Sequence, residues 1–328
     1  MKQWQVNAAV VVAALGFALA VILAGLIAPA TAQSTRPIRI IVPFAPAGSS
    51  DVLARVLQQP LQGALSRTVI VENRAGAGTN LGTSEVARAV PDGDTLLLTS
   101  SAFVVNPGLY KNVPYDPAKD FAPIAALPVA PNVMVVTQGS AFHSLADLIA
   151  RARANPQSLN YASPGNGTTP QLAMELFKLK AGIEVTNIAY GGGGPATQAL
   201  LSGTVDVLST AFPGAQSQVK AGTMRALAMT QKWPELPEVK TFADLGFPDV
   251  MLDTAHFLLA PAGTPTELIE RLTKATLAVL AQDEVKARVH DVGYAIVAGG
   301  PDAVKEHIAK DVPFFKELIA DAKIPQIE

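Results

Sequence analysis

A strand, a loop of Gly, Pro and Ser, and a helix follow one another twice near the start of this chain, and the same succession returns in its middle. That recurrence constrains the fold more than any single residue does. Residues 38–42 (IRIIV) read as a strand buried on both faces, because a short β-branched apolar run without alternation is what a parallel sheet covered by helices requires. Residues 43–50 (PFAPAGSS) are a loop, and Asp51 is expected to cap a helix with Val52, Leu53, Val56 and Leu57 on its apolar face. Pro60 is expected to kink or end that helix, since proline lacks the N–H that a helix interior needs. A second strand over 68–71, a Gly-rich loop over 74–82, a helix over 83–89 and a third strand over 95–98 complete the first unit. The second unit has strands over 159–162, 185–189 and 205–208. Its first loop is 163–169 (SPGNGTT), with Thr168 or Thr169 capping a helix that Pro170 opens. Its second loop is the glycine run 191–194, followed by a helix opened by Pro195 and closed near Gly203.

Two βαβαβ units predict an α/β protein of two lobes, each with its own small parallel sheet covered by helices. Residues 134–137 are expected to cross from the first lobe to the second, and residues 257–260 to return. Lobe one is then 33–135 plus 256–328, lobe two is 136–255, and the two crossovers form a hinge. Ligands in open α/β sheets bind beyond the carboxyl ends of the strands. Those ends here are the loops 43–51, 74–82, 163–170 and 190–195, all running into helix N-termini. Helix N-termini present unpaired N–H groups and partial positive charge, which suits an anion without any Lys or Arg.

Other features narrow the function. Lys2, an apolar run over 8–27 and the small residues Ala30-Thr31-Ala32 read as a secretory signal over 1–32, cleaved after Ala32, so the protein is expected in the periplasm. No later segment is apolar enough to span a membrane. With no cysteine in 328 residues, disulfides and thiolate chemistry are excluded. The net charge is −2 and no Lys/Arg run interleaves with aromatics, so nucleic acid is not an expected partner. There is no phosphate loop, no H-E-x-x-H and no G-x-S-x-G, and no nucleophile stands beside a base in the sequence. Neither a cofactor, a metal nor an enzymatic activity is expected. His143, His290 and His307 are scattered and read as structural, as does Trp233 in a Pro-rich surface loop. His256 stands apart because it falls at the second crossover.

Five stretches carry a resemblance over nearly the whole chain after the signal. They are PIRIIVPFAP at 37–46 with Gly48 and Asp51; VENR at 71–74 with Gly76, Gly78 and Gly82; NPGLY at 106–110 through PYDP at 114–117 to KDFAP at 119–123; Ser163 with Gly165, Asn166, Gly167, Thr168 and Leu172; and APAGTP at 260–265. In these the chain resembles the Bug-type substrate-binding proteins of tripartite tricarboxylate transporters. The resemblance implies a periplasmic-binding-protein-like Venus flytrap, monomeric, that holds a small carboxylate between the loops 43–51 and 163–169 through backbone groups and water. The implied ligand-binding set is Phe44, Ala47, Gly48, Ser49, Asp51, Ser101, Ser163, Gly165, Asn166, Gly167, Thr168, Thr169, Tyr190 and Thr210. The implied partners are membrane permease subunits or, alternatively, a two-component sensor kinase. The chain departs from the family pattern at Ala47, where glycine is usual and positive φ is expected to be limited, and at Asp94, Gln171, Gly191 and Thr210. Those last four are expected around the selective end of the pocket, where Thr210 offers no charge to an ammonium group. A mono- or dicarboxylate is the expected ligand.

Overall fold

The computed structural model describes residues 36–328. The expected signal and its cleavage site lie outside the described residues. The chain runs β1 (Ile38–Val42), α1 (Ser49–Leu65), β2 (Val69–Asn73), α2 (Asn80–Ala87), β3 (Thr95–Ser100), α3 (Ala102–Leu109) and β4 (Phe121–Ala130). It continues through β5 (Asn132–Thr137), α4 (Leu145–Ala154), β6 (Asn160–Ser163), α5 (Thr169–Ala181), β7 (Thr186–Ala189), α6 (Gly193–Leu201), β8 (Val207–Ala211), α7 (Gln216–Lys220) and β9 (Met224–Met229). It ends with β10 (Thr254–Pro261), α8 (Thr266–Ala281), α9 (Asp283–Asp291) and α10 (Pro301–Asp321).

Two five-stranded sheets result, ordered β2-β1-β3-β10-β4 and β7-β6-β8-β5-β9. The orders correspond when β6, β7, β8 and β9 are matched to β1, β2, β3 and β4, and β5 to β10, each the strand by which the chain enters its sheet from the other, so the duplication extends to sheet topology. Three strands of each sheet are parallel: β1 lies between β2 and β3, and β6 between β7 and β8. The sheets are nevertheless mixed rather than purely parallel, because β10 and β5 pair antiparallel with both of their neighbours. Ala130 ends a strand of the first sheet and Asn132 begins one of the second. Residues 134–137, expected to make the crossing, therefore lie wholly within the second sheet, and the chain passes over at Pro131.

The period of two along β1 explains why both faces of the first sheet are covered. Ile38, Ile40 and Val42 pack with Leu53, Leu57 and Leu61 of α1 and Val279 of α8. Ile41 packs to the other side with Val104 and Val105 of α3 and Val304 and Phe315 of α10. In the second sheet Met134 and Val136 meet α4 and α5, while Val133 and Val135 meet Ala196 and Leu200 of α6. Pro60 sits inside α1 without ending it. The buried Leu57 and Leu61 on either side hold the helix to the sheet against the roughly 3 kcal/mol that an interior proline costs. The helix ends instead at Ser66 in a left-handed conformation, φ 52°. Trp233 is also buried, with Phe212 edge-on at 5.3 Å and His290 stacked at 5.0 Å. Among the described residues no helix is long and apolar enough to cross a membrane.

Candidate functional site

The strands β1, β3, β6, β7 and β8 all direct their carboxyl ends to one cleft between the lobes. A small cavity of about 20 Å³ there is lined by Phe44, Gly48, Ser49, Ser50 and Ser100 from the first lobe. Pro164, Thr168, Pro170, Gly193, Thr210 and Ala211 line it from the second, and Thr254 from the returning strand. A larger second cavity of about 230 Å³ adjoins it, lined by residues 76–79 and Tyr110 on one side and by Gly165, Asn166, Tyr190 and Gly191 on the other. Phe44, Pro164 and Thr168 belong to both. Neither lining contains an Asp, Glu, Lys, Arg or His.

Three helices begin at the first cavity, and none has a side-chain cap: α1 at Gly48, α5 at Thr168 and α6 at Gly192. The first intrahelical bonds are Val52 N–H to Gly48 O, Leu172 N–H to Thr168 O and Ala196 N–H to Gly192 O. The N–H groups before these, on Ser49, Ser50, Thr169, Gly193 and Gly194, have no helical carbonyl to meet. The Thr168 hydroxyl turns back to donate to Gly165 O at 2.7 Å and makes no bond to the first-turn N–H groups. The cleft is therefore electropositive through backbone dipoles alone.

Each loop is held from behind. Asp51, expected as the cap of α1, lies inside its first turn and reaches back instead, accepting from Ala47 N–H at 2.9 Å. It also accepts from Arg55 Nε at 3.0 Å and Asn73 Nδ2 at 3.0 Å. Burial would raise its carboxyl, but the bonds from Arg55, Ala47 and Asn73 prevail and hold it below the usual carboxylate range. Ala47 does take positive φ, 64°, contrary to the expectation that its Cβ would limit this. The Asp51 bond fixes its N–H in that conformation. In the second lobe Ser163 Oγ donates to Asn187 Oδ1 at 2.9 Å, and Gly167 N–H donates to Gln171 Oε1 at 3.3 Å.

The lobes touch backbone to backbone through glycine. Ala45 N–H donates across the cleft to Gly191 O at 2.8 Å. A Cβ at Gly192 would lie 2.9 Å from Ala45 N, and one at Gly194 would lie 2.2 Å from Pro46 O. Glycine at 192 and 194 thus permits the close approach of the two lobes. The crossing strands are tied to the same place. Thr254 Oγ1 donates to Asn132 Oδ1 at 2.7 Å, so the 2.8 Å bond between Thr254 and Thr169 hydroxyls has Thr169 as its donor.

Of the residues expected at the site, Phe44, Gly48, Ser49, Thr168 and Thr210 line the first cavity, and Gly165, Asn166 and Tyr190 the second. Ala47, Asp51, Ser163, Gly167 and Thr169 support these loops from outside the linings. Ser101 faces away: it binds the backbone of Ala255, while its neighbour Ser100 lines the cavity. Ser100 is the last residue of β3, whereas Ser101 has already turned into the helical conformation at the start of α3, which accounts for the one-residue displacement. Asp94 is not at the selective end. It precedes β3 at the far end of the strand and pairs there with Arg36 and Arg67. Gln171 serves its loop by accepting from Gly167 N–H, whereas Gly191 both meets Ala45 N–H and lines the second cavity. Ser50, Pro164, Pro170 and Gly193 lie in the loops expected to face the ligand though outside the expected residue set, and Ala211 and Thr254 were not foreseen. Gly193 was within reach of the sequence, since it opens a strand-end helix.

The structure also brings together a pair that sequence spacing hides. His256 on β10 is fully buried, with Nδ1 3.1 Å from Pro128 O and Nε2 3.3 Å from Ser49 Oγ. Burial lowers the imidazole to about 4, and its Nδ1 partner is a carbonyl rather than the carboxylate that would make it a strong base. A nucleophile beside a base is thus present in outline, but the base is weak.

Comparison with known proteins gives concordant results. The family model described as "Tripartite tricarboxylate transporter family receptor" matches residues 53–324. The chain is 35% identical over 295 residues to the protein BugT of Bordetella pertussis, covering 88% of this chain and 90% of BugT. Among solved structures it is similar to the periplasmic binding protein BugD, with TM-score 0.87 and 30% identity over 90% of this chain and 100% of BugD. An R. palustris protein solved with adipate gives TM-score 0.86 and 30% identity, covering 90% of this chain and 100% of that one.

Proposed function

This chain belongs to the tripartite tricarboxylate transporter receptor family, and from that premise we propose that it is a periplasmic receptor that captures a small organic carboxylate for a tripartite tricarboxylate transporter. The observation that carries the ligand class is the convergence of three uncapped helix N-termini on a cavity with no charged side chain. Each such terminus favours an anion by about 0.3–1 kcal/mol when exposed, and up to about 2 kcal/mol when partly buried. Donors from both lobes act on one carboxylate, so the ligand itself favours closure. Opening pivots at Pro131 and between Met229 and Thr254, the two places where the chain leaves one sheet for the other. The protein binds and does not transform: the sole imidazole near the cleft is buried and neutral, and it faces a serine it cannot readily deprotonate.

The test is thermal unfolding of the protein lacking residues 1–32 against mono- and dicarboxylates, aliphatic and aromatic. A ligand at 100 times its Kd should stabilise the fold by about 2.7 kcal/mol through mass action. If no carboxylate shifts the midpoint while a sugar or a cation does, the proposal fails.

A further inference from the structure

Ser49 is half-buried, in the first turn of α1, and lines the cleft. Its hydroxyl has one proton to give. Where that proton goes is decided by His256, which lies behind it on β10 and is fully buried.

His256 Nδ1 stands 3.1 Å from Pro128 O. A carbonyl oxygen can only accept, so Nδ1 must carry the proton. In the neutral ring Nε2 is then a bare lone pair. At 3.3 Å from Ser49 Oγ, that lone pair has one way to be satisfied: the serine hydroxyl donates to it. An unpaired ring nitrogen at a site with no solvent exposure would be costly. Burial keeps the imidazole neutral, at about 4, so the arrangement holds at neutral pH. Two further contacts fix the pair. Tyr294 Oη donates to the backbone oxygen of Ser49, and the Tyr294 ring packs edge-on to His256 at 5.5 Å.

Ser49 Oγ therefore turns only lone pairs toward the ligand. The surrounding N–H groups of α1, α5 and α6 are all donors. At Ser49 the cleft changes sign, becoming an acceptor next to a ring of donors. A bare carboxylate oxygen placed there meets repulsion, whereas a hydroxyl finds a partner. The lining has no Asp or Glu to balance a cationic donor, so the donor it suits is neutral.

We propose that Ser49, oriented by His256 as a positioning residue, is an acceptor subsite that selects carboxylates bearing a hydroxyl close to the carboxylate group. This rests on the carboxylate-receptor reading and adds to it the class of ligand.

Matched pairs test it: lactate against propionate, malate against succinate, mandelate against phenylacetate, each hydroxy acid as both enantiomers. Affinities are measured by calorimetry for the native protein, Ser49→Ala and His256→Phe. A net neutral hydrogen bond corresponds to a factor of about 2–12 in Kd. In the native protein one enantiomer of the hydroxy acid should bind tighter than its deoxy partner by a factor in that range. Ser49→Ala should remove the preference, bringing the ratio of hydroxy-acid to deoxy-acid affinity to about one. His256→Phe frees the serine proton to face the ligand, and the ratio should fall or invert while carboxylate binding persists. A general loss of structure would weaken both members of a pair alike and leave the ratio unchanged. Equal binding of hydroxy and deoxy acids by the native protein, or an unchanged ratio in Ser49→Ala, overturns the Ser49 assignment and leaves the carboxylate receptor intact. If no acid of any pair binds, the receptor reading falls and this inference falls with it.

Discussion

Acid should destabilise this protein through His256 before its carboxylates matter. The imidazole titrates near 6.5 in an unfolded chain and is lowered to about 4 in the fold by burial. Between those values the unfolded chain holds a proton that the native protein refuses. Stability therefore rises with pH across the window and falls as pH drops from about 6.5 toward about 4, by up to about 1.4 kcal/mol per pH unit. Once both states are protonated the loss is about 3 kcal/mol, a large share of the 5–15 kcal/mol typical of a domain. His307 does not confuse the window. Its bond to Asp311 raises it, so its contribution is complete below 6.5 and is lost only as pH climbs above that value. The assay is urea unfolding at steps from about pH 7 to about pH 4.5, with native protein and His256→Phe in parallel. Subtracting the two cancels the carboxylates, including Asp253, which burial raises and which therefore acts with the opposite sign. At pH 7 the variant should be the weaker by about 1–3 kcal/mol, since Pro128 O loses its donor. By about pH 4.5 that deficit should shrink by about 2–3 kcal/mol. Parallel curves for the two proteins would refute the argument, because they would mean that the native imidazole titrates as it does in the unfolded chain.

Three further outcomes follow from the cleft. Gly194→Ala places a methyl where a Cβ would meet Pro46 O at 2.2 Å across the lobes, so ligand affinity should drop at least tenfold while unliganded stability holds within about 0.5 kcal/mol. Calorimetry and thermal unfolding separate the two effects. Asp51→Ala removes the acceptor of Ala47 N–H, Arg55 and Asn73, and should cost about 2–3 kcal/mol at pH 7; since the native carboxyl is held low, that advantage should be lost as pH falls through its lowered value. Ala47→Gly relieves a left-handed alanine at φ 64°. The gain should be about 0.5–1 kcal/mol in denaturant unfolding, because the relief exceeds glycine's larger unfolded-state entropy only slightly.

Much of this frame was legible in the chain because parallel strands buried on both faces announce themselves as apolar runs. Ile38–Val42 was readable to the residue, and the loops after β1, β6 and β7 were recognisable from Gly and Pro alone. The strands β4 and β9 were harder to see. Pro123 and Pro128 interrupt β4 in sequence, yet β4 lies at the edge of its sheet and its register with β10 shifts beside both, the two settings in which a strand tolerates proline. The antiparallel placement of β5 and β10 depends on partners more than a hundred residues away in β10's case, so no local pattern encodes it. Helix α3 was missed because its sequence, AFVVNPGL, is apolar all round and contains both Pro and Gly. The pairing of Ser49 with His256 spans 207 residues and exists only once β10 has come back beside β3. Asp94 failed for the complementary reason. Its sequence position follows a family landmark, but the strand it precedes carries it to the wrong end of the sheet.

The site's chemistry and its closure have a single origin in backbone. A lysine at Gly192 or Gly194 would add a full positive charge to an anion site, yet its Cβ would stand where Ala45 or Pro46 now approaches. Glycine at these positions lets the N-terminus of α6 arrive within contact distance of the N-terminus of α1, so that donors on two lobes face one point. A helix-end donor is fixed by the helix behind it and loses little freedom on binding, whereas a lysine must give up about 2 kcal/mol of side-chain freedom to hold one geometry. The arrangement has a consequence for selection. Since the charge is spread over many N–H groups, it attracts any carboxylate and distinguishes poorly among them. Discrimination must then come from the few side chains that reach the cavity with a fixed hydrogen-bonding sense. Thr168 and Thr254 have committed their protons to Gly165 O and Asn132 Oδ1, as Ser49 has to His256. Hydroxyls that donate away from the cleft leave lone pairs on its wall, and a ligand that offers hydroxyl protons of its own is the one that completes it.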